Sequence, residues 1–269
     1  MNIGFIGAGN MGGAIIKGYL AAGLPDVIFV YDSDAEKAES LAALGLPVKI
    51  AGSLAELAGV SEALVLCVKP NVMGDVLEEL AALVKRPNDK LFISIAAGIS
   101  IGFIREKLGA ETKAVRVMPN TPAMVGEGMS AMSASDGLPE PDKSAAEKLF
   151  SAVGMAVWVP EEQMDVVTGI SGSSPAYAYL YIEGLVQAGI EGGLSKEAAT
   201  IMAAQSTLGA GKMVLKNLGH AEPGQLCANV CSPGGTTIEA VTVLKEAGFT
   251  STVSKAAKAS AAKSKQMTK

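Results

Sequence analysis

Apolar and polar positions change their period along this chain near residue 160. Before that point, short apolar runs alternate with stretches rich in helix formers. The runs lie at residues 3–6, 27–31, 63–68, 90–95, 114–118, 129–133 and 156–159, with a brief one near Val48. A run that is apolar throughout, as 63–68 is, suits a central strand of a parallel sheet buried on both faces. The stretches between predict helices from Gly12 to Leu20, over 34–44, from Ser53 as a cap, over 72–84 with Asn71 as a cap, and over 142–152. After residue 160 the strand pattern stops. Helical blocks follow at 161–169, 175–192, 195–217 with Ser195 as N-cap, 224–231, 234–247 and 251–265. The order predicts an α/β chain, a doubly wound sheet over residues 1–160 and an all-helical domain over 161–269. The late blocks carry Ala and Gly densely, as close helix packing needs. Their apolar stripes exceed what one small domain can cover, so a second subunit is expected over them.

The first run leads straight into Gly7-Ala8-Gly9-Asn10-Met11-Gly12. Gly7 suits a tight turn, Gly9 lets a pyrophosphate approach the backbone, and Gly12 lets the next helix sit close to its strand. The unpaired N–H groups and positive dipole end of that helix would face a diphosphate. Asp32 closes the second run about 20 residues after the last glycine, where an acid accepts hydrogen bonds from a ribose. The sheet is therefore expected to be Rossmann-type. In such sheets ligands sit outside the carboxyl ends of the strands, here Val68-Lys69-Pro70 and Ala96-Ala97-Gly98.

Composition narrows the rest. At 269 residues, two domains are expected on a prior of roughly 150 residues each. The chain is 49% hydrophobic but only 4% aromatic, so Ala, Val, Leu, Ile and Met must build the core. A net charge of −5 argues against nucleic acid, and an anionic ligand must be held by local dipoles. The lysines after Ser254 are spaced by Ala and Ser and read as a solvated helix face. Cys67, Cys227 and Cys231 offer neither a disulfide framework nor a metal set, and read as buried or incidental thiols. A strand begins at once and no run approaches 18 or so apolar residues, so the expectation is a cytoplasmic protein without a signal peptide or membrane span.

The catalytic inventory is thin. His220, the only histidine, sits in an interhelix loop and reads as a surface residue. Hydride transfer to an already activated substrate needs no protein base, because the cofactor supplies the chemistry. In Cys231-Ser232-Pro233-Gly234-Gly235-Thr236-Thr237, Pro233 suits a first helical turn and the glycines leave N–H groups uncovered. That is an anion site for a carboxylate on the Gly235, Thr236 and Thr237 amides, with a threonine hydroxyl left for a neighbouring polar atom. The segment Thr168-Gly169-Ile170-Ser171-Gly172-Ser173-Ser174-Pro175 reads as a helix break with a restart at Pro175. β-Hydroxyacid dehydrogenases place a catalytic lysine and an asparagine after a segment of similar shape. Here those places hold Ala178 and Ile182, which argues against that chemistry.

Taken in order, residues 7–12, Val68-Lys69-Pro70, Ala96-Ala97-Gly98, Met118-Pro119-Asn120-Thr121-Pro122, Gly172-Ser173-Ser174-Pro175-Ala176-Tyr177 and Ser232-Pro233-Gly234-Gly235-Thr236-Thr237 resemble pyrroline-5-carboxylate reductase from end to end. The resemblance implies reduction of 1-pyrroline-5-carboxylate to L-proline by NADH or NADPH, the last step of proline biosynthesis. It also implies a Rossmann domain followed by a helical dimerisation domain, and a decamer of five dimers. Thr237 is then the catalytic contact to the ring nitrogen, with Gly235, Thr236 and Ser174 completing the substrate site. Cofactor contacts are expected at Ile6, Gly7, Ala8, Gly9, Asn10, Met11, Gly12, Asp32, Ser33, Cys67, Val68, Lys69, Pro70, Ile95, Ala96, Ala97, Asn120 and Asn229; no metal is expected. Two departures stand out: Ala228 precedes Asn229 where the family often has an acid, and Asp32-Ser33 stands where many members have Asn-Arg or Ser-Arg. Arg holds a 2′-phosphate and Asp repels it, so Asp32 inclines the choice toward NADH against the family habit. The other functions the sequence leaves open are a related small hydroxy-acid dehydrogenase and a dinucleotide-binding sensor without turnover.

Overall fold

The computed structural model describes all 269 residues, Met1–Lys269. They form two compact units, one of Met1–Ser173 with Ala259–Lys269, the other of Ser174–Lys258.

The first unit is built on one eight-stranded sheet. Its strands are β1 (Asn2–Ile6), β2 (Val27–Tyr31), β3 (Val48–Ile50), β4 (Ala63–Leu66), β5 (Leu91–Ser94), β6 (Lys113–Met118), β7 (Gly128–Ala134) and β8 (Gly154–Trp158). They lie in the order β3-β2-β1-β4-β5-β6-β7-β8. Pairing is parallel from β3 through β6, β7 runs antiparallel to β6, and β8 is parallel to β7. The helices of this part are α1 (Asn10–Ala21), α2 (Ala35–Ala43), α3 (Leu54–Val60), α4 (Met73–Leu83), α5 (Ile101–Leu108) and α6 (Glu140–Ser151).

Register explains why the central strands are apolar throughout. Phe5, Val65, Ile93 and Val115 stand opposite one another across four strands and belong to one buried cluster, with Ile15 and Tyr19 of α1 and Phe150 of α6. The neighbouring row of Leu64, Phe92 and Ala114 points to the other face, into a second cluster with Leu57 of α3, Leu77 of α4 and Ile104 of α5. Alternate side chains thus serve opposite layers, which is why these rows are apolar on both faces. Ser53 and Ser100 cap α3 and α5 by accepting the N–H groups of Glu56 and Phe103. Asn71 does not cap α4. A turn closed by Val72 N–H to Lys69 O at 3.1 Å leaves Val72 as the helix's N-cap, so Asn71 lies one residue too early.

Compact packing does not divide the chain after residue 160. Glu161 accepts the N–H of Ile101 at 2.8 Å and lies 3.3 Å from the guanidinium of buried Arg116, which ties it to the sheet. The short helix α7 (Met164–Val167) follows. Where a helix break was expected, Thr168–Gly172 forms a π-turn closed by Ser173 N–H to Thr168 O. The first unit is completed from the far end of the chain: Ser264 donates to Asp165 at 2.7 Å, and the N–H of Lys269 donates to Gly98 O at 2.8 Å.

The second unit is helical. It contains α8 (Ser174–Glu191), α9 (Lys196–Lys216), α10 (Pro223–Val230), α11 (Thr236–Glu246) and the first half of α12 (Phe249–Met267). Ser195 caps α9 through the N–H of Ala198. Helices α8 and α9 meet closely at Gly189, where a Cβ would lie 2.8 Å from that of Ala199. The 18 residues of α8 bury no side chain, and α9 buries only Ala199 and Ala203. Leu180 and Ile201 are 68% and 61% exposed, so this unit does not contain enough partner surface for its own apolar faces.

Candidate functional site

Strand order reverses at β1, whose neighbours are β2 on one side and β4 on the other. Outside the carboxyl ends of these strands the chain turns away in opposite directions and leaves a groove. It has a volume of about 360 Å³ and is lined by Ile6, Gly7, Gly9, Asp32, Ser33, Cys67, Val68 and Lys69 among the expected residues. Tyr31, Lys37, Leu54, Val72, Val76 and Glu79 complete it. The sequence offered a partial signal for these: Val72 and Val76 share a helix face, and Lys37 follows Asp32 by little more than a turn.

The glycine loop has the shape its spacing predicts. Gly7 has φ +104°, a conformation other residues rarely adopt, and a Cβ on it would meet Cys67 O at 2.9 Å. A Cβ on Gly12 would lie 2.5 Å from Gly7 O, so α1 seats directly on the turn. Nothing lies within 4 Å of the place where a Gly9 Cβ would stand. The N–H groups of Gly9, Asn10, Met11 and Gly12 have no partner in the chain, and Gly13 is the first to bond back, to Gly9 O. Four unpaired donors at an uncapped helix start, beside open space, fit a dinucleotide diphosphate. Met11 contributes only its backbone, because its side chain packs against the core. Ala8 and Asn10 face a second depression of about 710 Å³ on the other flank of α1, shared with Lys17, Met124 and Ala152.

Asp32 has a structural part in the chain that its motif does not show. Its Oδ2 accepts the N–H of Ala8 at 2.8 Å and its Oδ1 the N–H of Asp34 at 2.9 Å, so it ties the glycine loop to the turn after β2. Each oxygen keeps a second lone pair for a ligand. Lys37 lies 3.2 Å from Asp34, and the Asp34 carboxylate, helped by Asp32, holds its ammonium above the usual lysine range. Burial pushes the Cys67 thiol well up, and Gly12 sits against its Cβ, so Cys67 supports the loop from beneath and exposes no reactive thiolate. Farther along the same edge come Pro70 after β4 and Ile95, Ala96 and Ala97 after β5; Ala96 is buried and Ala97 exposed.

Asn120, expected among the cofactor contacts, has both ends of its side chain engaged. Its Nδ2 donates to Ser171 O at 3.0 Å and its Oδ1 accepts the N–H of Met129 at 2.8 Å. Only this amide orientation satisfies both partners, and the residue is buried. Its side chain is a clamp between β7 and the π-turn.

The remaining expected residues, Ser174, Asn229, Gly235, Thr236 and Thr237, belong to the helical unit. Ser174 opens α8. Asn229 accepts the side-chain amide of Gln225 at 3.0 Å. The loop before α11 departs from expectation in two ways. Pro233 lies outside the helix, which starts at Thr236 with Gly235 as N-cap, because Gly234 at φ +69° turns the chain first. The N–H of Gly235 is also spent, donating to Ser232 O at 3.0 Å. The free donors are therefore the N–H groups of Thr236, Thr237 and Ile238, and neither threonine hydroxyl has a partner in the chain. An uncapped N-terminus flanked by two such hydroxyls matches a small carboxylate that carries an adjacent polar atom.

Comparisons with known proteins agree with this chemistry. A family model for pyrroline-5-carboxylate reductase dimerisation matches residues 161–267, and one described as NADP oxidoreductase coenzyme F420-dependent matches residues 2–98. The pyrroline-5-carboxylate reductase of Escherichia coli (strain K12) is 39% identical over 269 residues, 99% of this chain and 98% of that protein. The structure of a pyrroline-5-carboxylate reductase from Coxiella burnetii superposes with a TM-score of 0.92 at 34% identity, covering 100% of this chain and 98% of that one. The Plasmodium falciparum enzyme with NADP bound superposes at 0.87, with 34% identity and the same coverage.

Proposed function

Since the chain belongs to the pyrroline-5-carboxylate reductase family, we propose how its own residues reduce 1-pyrroline-5-carboxylate to L-proline with NAD(P)H. The observation that carries the reading is that each unit has an uncapped helix start, the first with four free N–H donors beside the groove, the second with three beside two free hydroxyls. The first holds the diphosphate on Gly9, Asn10, Met11 and Gly12 while Asp32 keeps the loop in shape. The second takes the substrate carboxylate on Thr236, Thr237 and Ile238 amides. The Thr237 hydroxyl holds the ring nitrogen, Ser174 lines the same substrate, and Asn229 joins the cofactor contacts. A reduced nicotinamide supplies the hydride when bound. A cyclic imine is readily protonated, so the chain needs to orient the ring rather than furnish a strong acid.

The test is an assay of cofactor oxidation and proline formation with 1-pyrroline-5-carboxylate. Thr237→Val keeps the shape and removes the hydroxyl, which forfeits about 0.5–1.5 kcal/mol. Turnover by wild type and a roughly 2- to 10-fold lower kcat/KM in the variant are expected, with cofactor affinity unchanged. Full kcat/KM in both Thr237→Val and Thr237→Ala would remove the hydroxyl from the mechanism.

Asp32 governs the choice of cofactor. Its charge faces the groove, and removing it takes away repulsion worth about 1 kcal/mol against a 2′-phosphate near the surface. In Asp32→Asn the NADPH to NADH ratio of kcat/KM is expected to rise roughly 5-fold, while both values fall because one loop bond is lost. An unchanged ratio would leave Asp32 as a loop clamp alone.

The chain forms a homo-oligomer through its dimerisation segment. The unit of assembly we propose is a dimer in which α8 and α9 of two copies cover each other, with five dimers making a decamer and residues 161–269 acting as the dimerisation and substrate domain. Support comes from the exposed apolar faces of α8 and α9. No helix is long and apolar enough to cross a membrane. Three unpaired thiols suit a reducing compartment, and the cytoplasm is the one proposed.

A further inference from the structure

Two thiols stand at the entrance to the substrate loop and take no part in the reaction. Cys227 lies on α10 and is exposed; Cys231 is the residue that ends α10 and is half-buried. They are four apart, a spacing that on a regular α-helix puts Cβ atoms about 5–6 Å from each other. A disulfide needs about 3.5–4.5 Å. The end of α10 can supply the difference. Its last turn is already tightened by the N–H of Cys231 donating to Ala228 O at 3.0 Å, and Cys231 has left helical geometry at φ −89°, ψ 94°.

We propose that Cys227 and Cys231 form a reversible disulfide, a modification site that closes the substrate loop under oxidising conditions. The chemistry is thiol–disulfide exchange with a low-molecular-weight disulfide such as oxidised glutathione. The exposed Cys227 thiolate attacks one glutathione sulfur, forms a mixed disulfide and expels the other glutathione as a thiolate, which takes up the proton. Cys231 then attacks the Cys227 sulfur and expels the second glutathione. The protein loses two protons and two electrons, and oxidised glutathione takes them up to become two molecules of glutathione. Partial desolvation and the neighbouring Cys227 sulfur hold the Cys231 thiol above its ordinary range, against the pull of Lys245, so Cys231 does not open the exchange and follows only once Cys227 carries the mixed disulfide beside it.

The consequence runs through one bond. Drawing Cys231 toward Cys227 moves Ser232, whose carbonyl holds the N–H of Gly235 and so shapes the start of α11. The bridge is strained by its contraction and hence easily reduced, as a regulatory rather than a structural disulfide should be. Its effect on substrate rests on the assignment of this loop to the carboxylate, whereas its formation does not.

The experiment treats the full-length enzyme with oxidised glutathione and reads mass and kinetics together. Expected are an internal Cys227–Cys231 bridge, seen as the loss of two hydrogens from a proteolytic fragment spanning both, and a KM for 1-pyrroline-5-carboxylate raised roughly 5-fold or more. Cofactor Kd should not change, and dithiothreitol should restore KM. Cys227→Ser should keep basal activity and lose the response. A stable glutathione adduct without the bridge, or a response that survives in Cys227→Ser, overturns the site. A bridge that forms with KM unchanged overturns the link to substrate and leaves the Thr237 assay to judge the loop independently.

Discussion

Gly12→Ala is expected to cost this enzyme most of its affinity for cofactor, with Kd raised roughly 30-fold for about 2 kcal/mol, while Gly13→Ala next to it does not. Both substitutions add one methyl group in the first turns of α1. At Gly12 the methyl would stand 2.5 Å from the carbonyl oxygen of Gly7 and 3.1 Å from the Cβ of Cys67. The oxygen belongs to a turn held at φ +104° and packed so closely on the strand beside it that a Cβ on Gly7 would lie 2.9 Å from Cys67 O. The helix start must therefore lift, and the four free N–H groups lift with it. At Gly13 the nearest atoms are 3.7 Å away, an ordinary contact, and alanine favours the helix by up to about 1 kcal/mol. Cofactor titration and thermal melting on the pair separate the two effects. The reading predicts weak binding and a lower Tm for Gly12→Ala, and near-native binding with equal or higher Tm for Gly13→Ala. Tight binding by Gly12→Ala would mean that this turn is not the diphosphate cradle.

Ile201→Asp and Leu180→Asp are each expected to leave a monomer that binds cofactor and does not turn over. Both side chains lie on helices that bury almost nothing within their own unit. Covering such a side chain contributes about 1.5–3 kcal/mol, and a carboxylate in its place adds several more of uncompensated desolvation. A shift of this size moves a dimer dissociation constant by three orders of magnitude or more. The cofactor groove is made wholly by the first unit, so its affinity should stay near wild type. Sedimentation at assay concentration, cofactor titration and the proline assay decide the matter together. A monomer with full activity would sink the proposal that the helical segment must assemble for catalysis.

The parts of this molecule that were legible in its sequence are those dictated by neighbours along the chain. Residues 63–66 are buried on both faces of a sheet and therefore apolar without interruption; Gly7, Gly9 and Gly12 are spaced by one turn and one helix start; Ser53 and Ser195 cap the helices that follow them. What escaped depends on residues far apart. Glu161 belongs with the sheet because of Arg116 and Ile101, and nothing in its own surroundings says so. Gly172 lies in a π-turn packed so closely that a Cβ there would lie 2.7 Å from the Cε of Met118, more than fifty residues away. Asn120 resembles a ligand contact in its motif, and nothing in that motif shows that its amide also ties Ser171 to Met129. The loop before α11 was visible as a motif, but its free donors are displaced by one residue, because Gly234 turns the chain before the helix can begin.

The return of the chain to its first unit has a consequence for how the protein is made. Residues 1–173 leave the ribosome early, but residues 259–269, which give Asp165 its partners and seat Lys269 on Gly98, come only after the whole helical unit has been synthesised. At about 5–20 residues per second the first unit spends some seconds without these contacts to Asp165 and Gly98. Vectorial synthesis thus begins the first unit before the helical one and completes it after, so that the helical unit can fold while the first still lacks its closing segment.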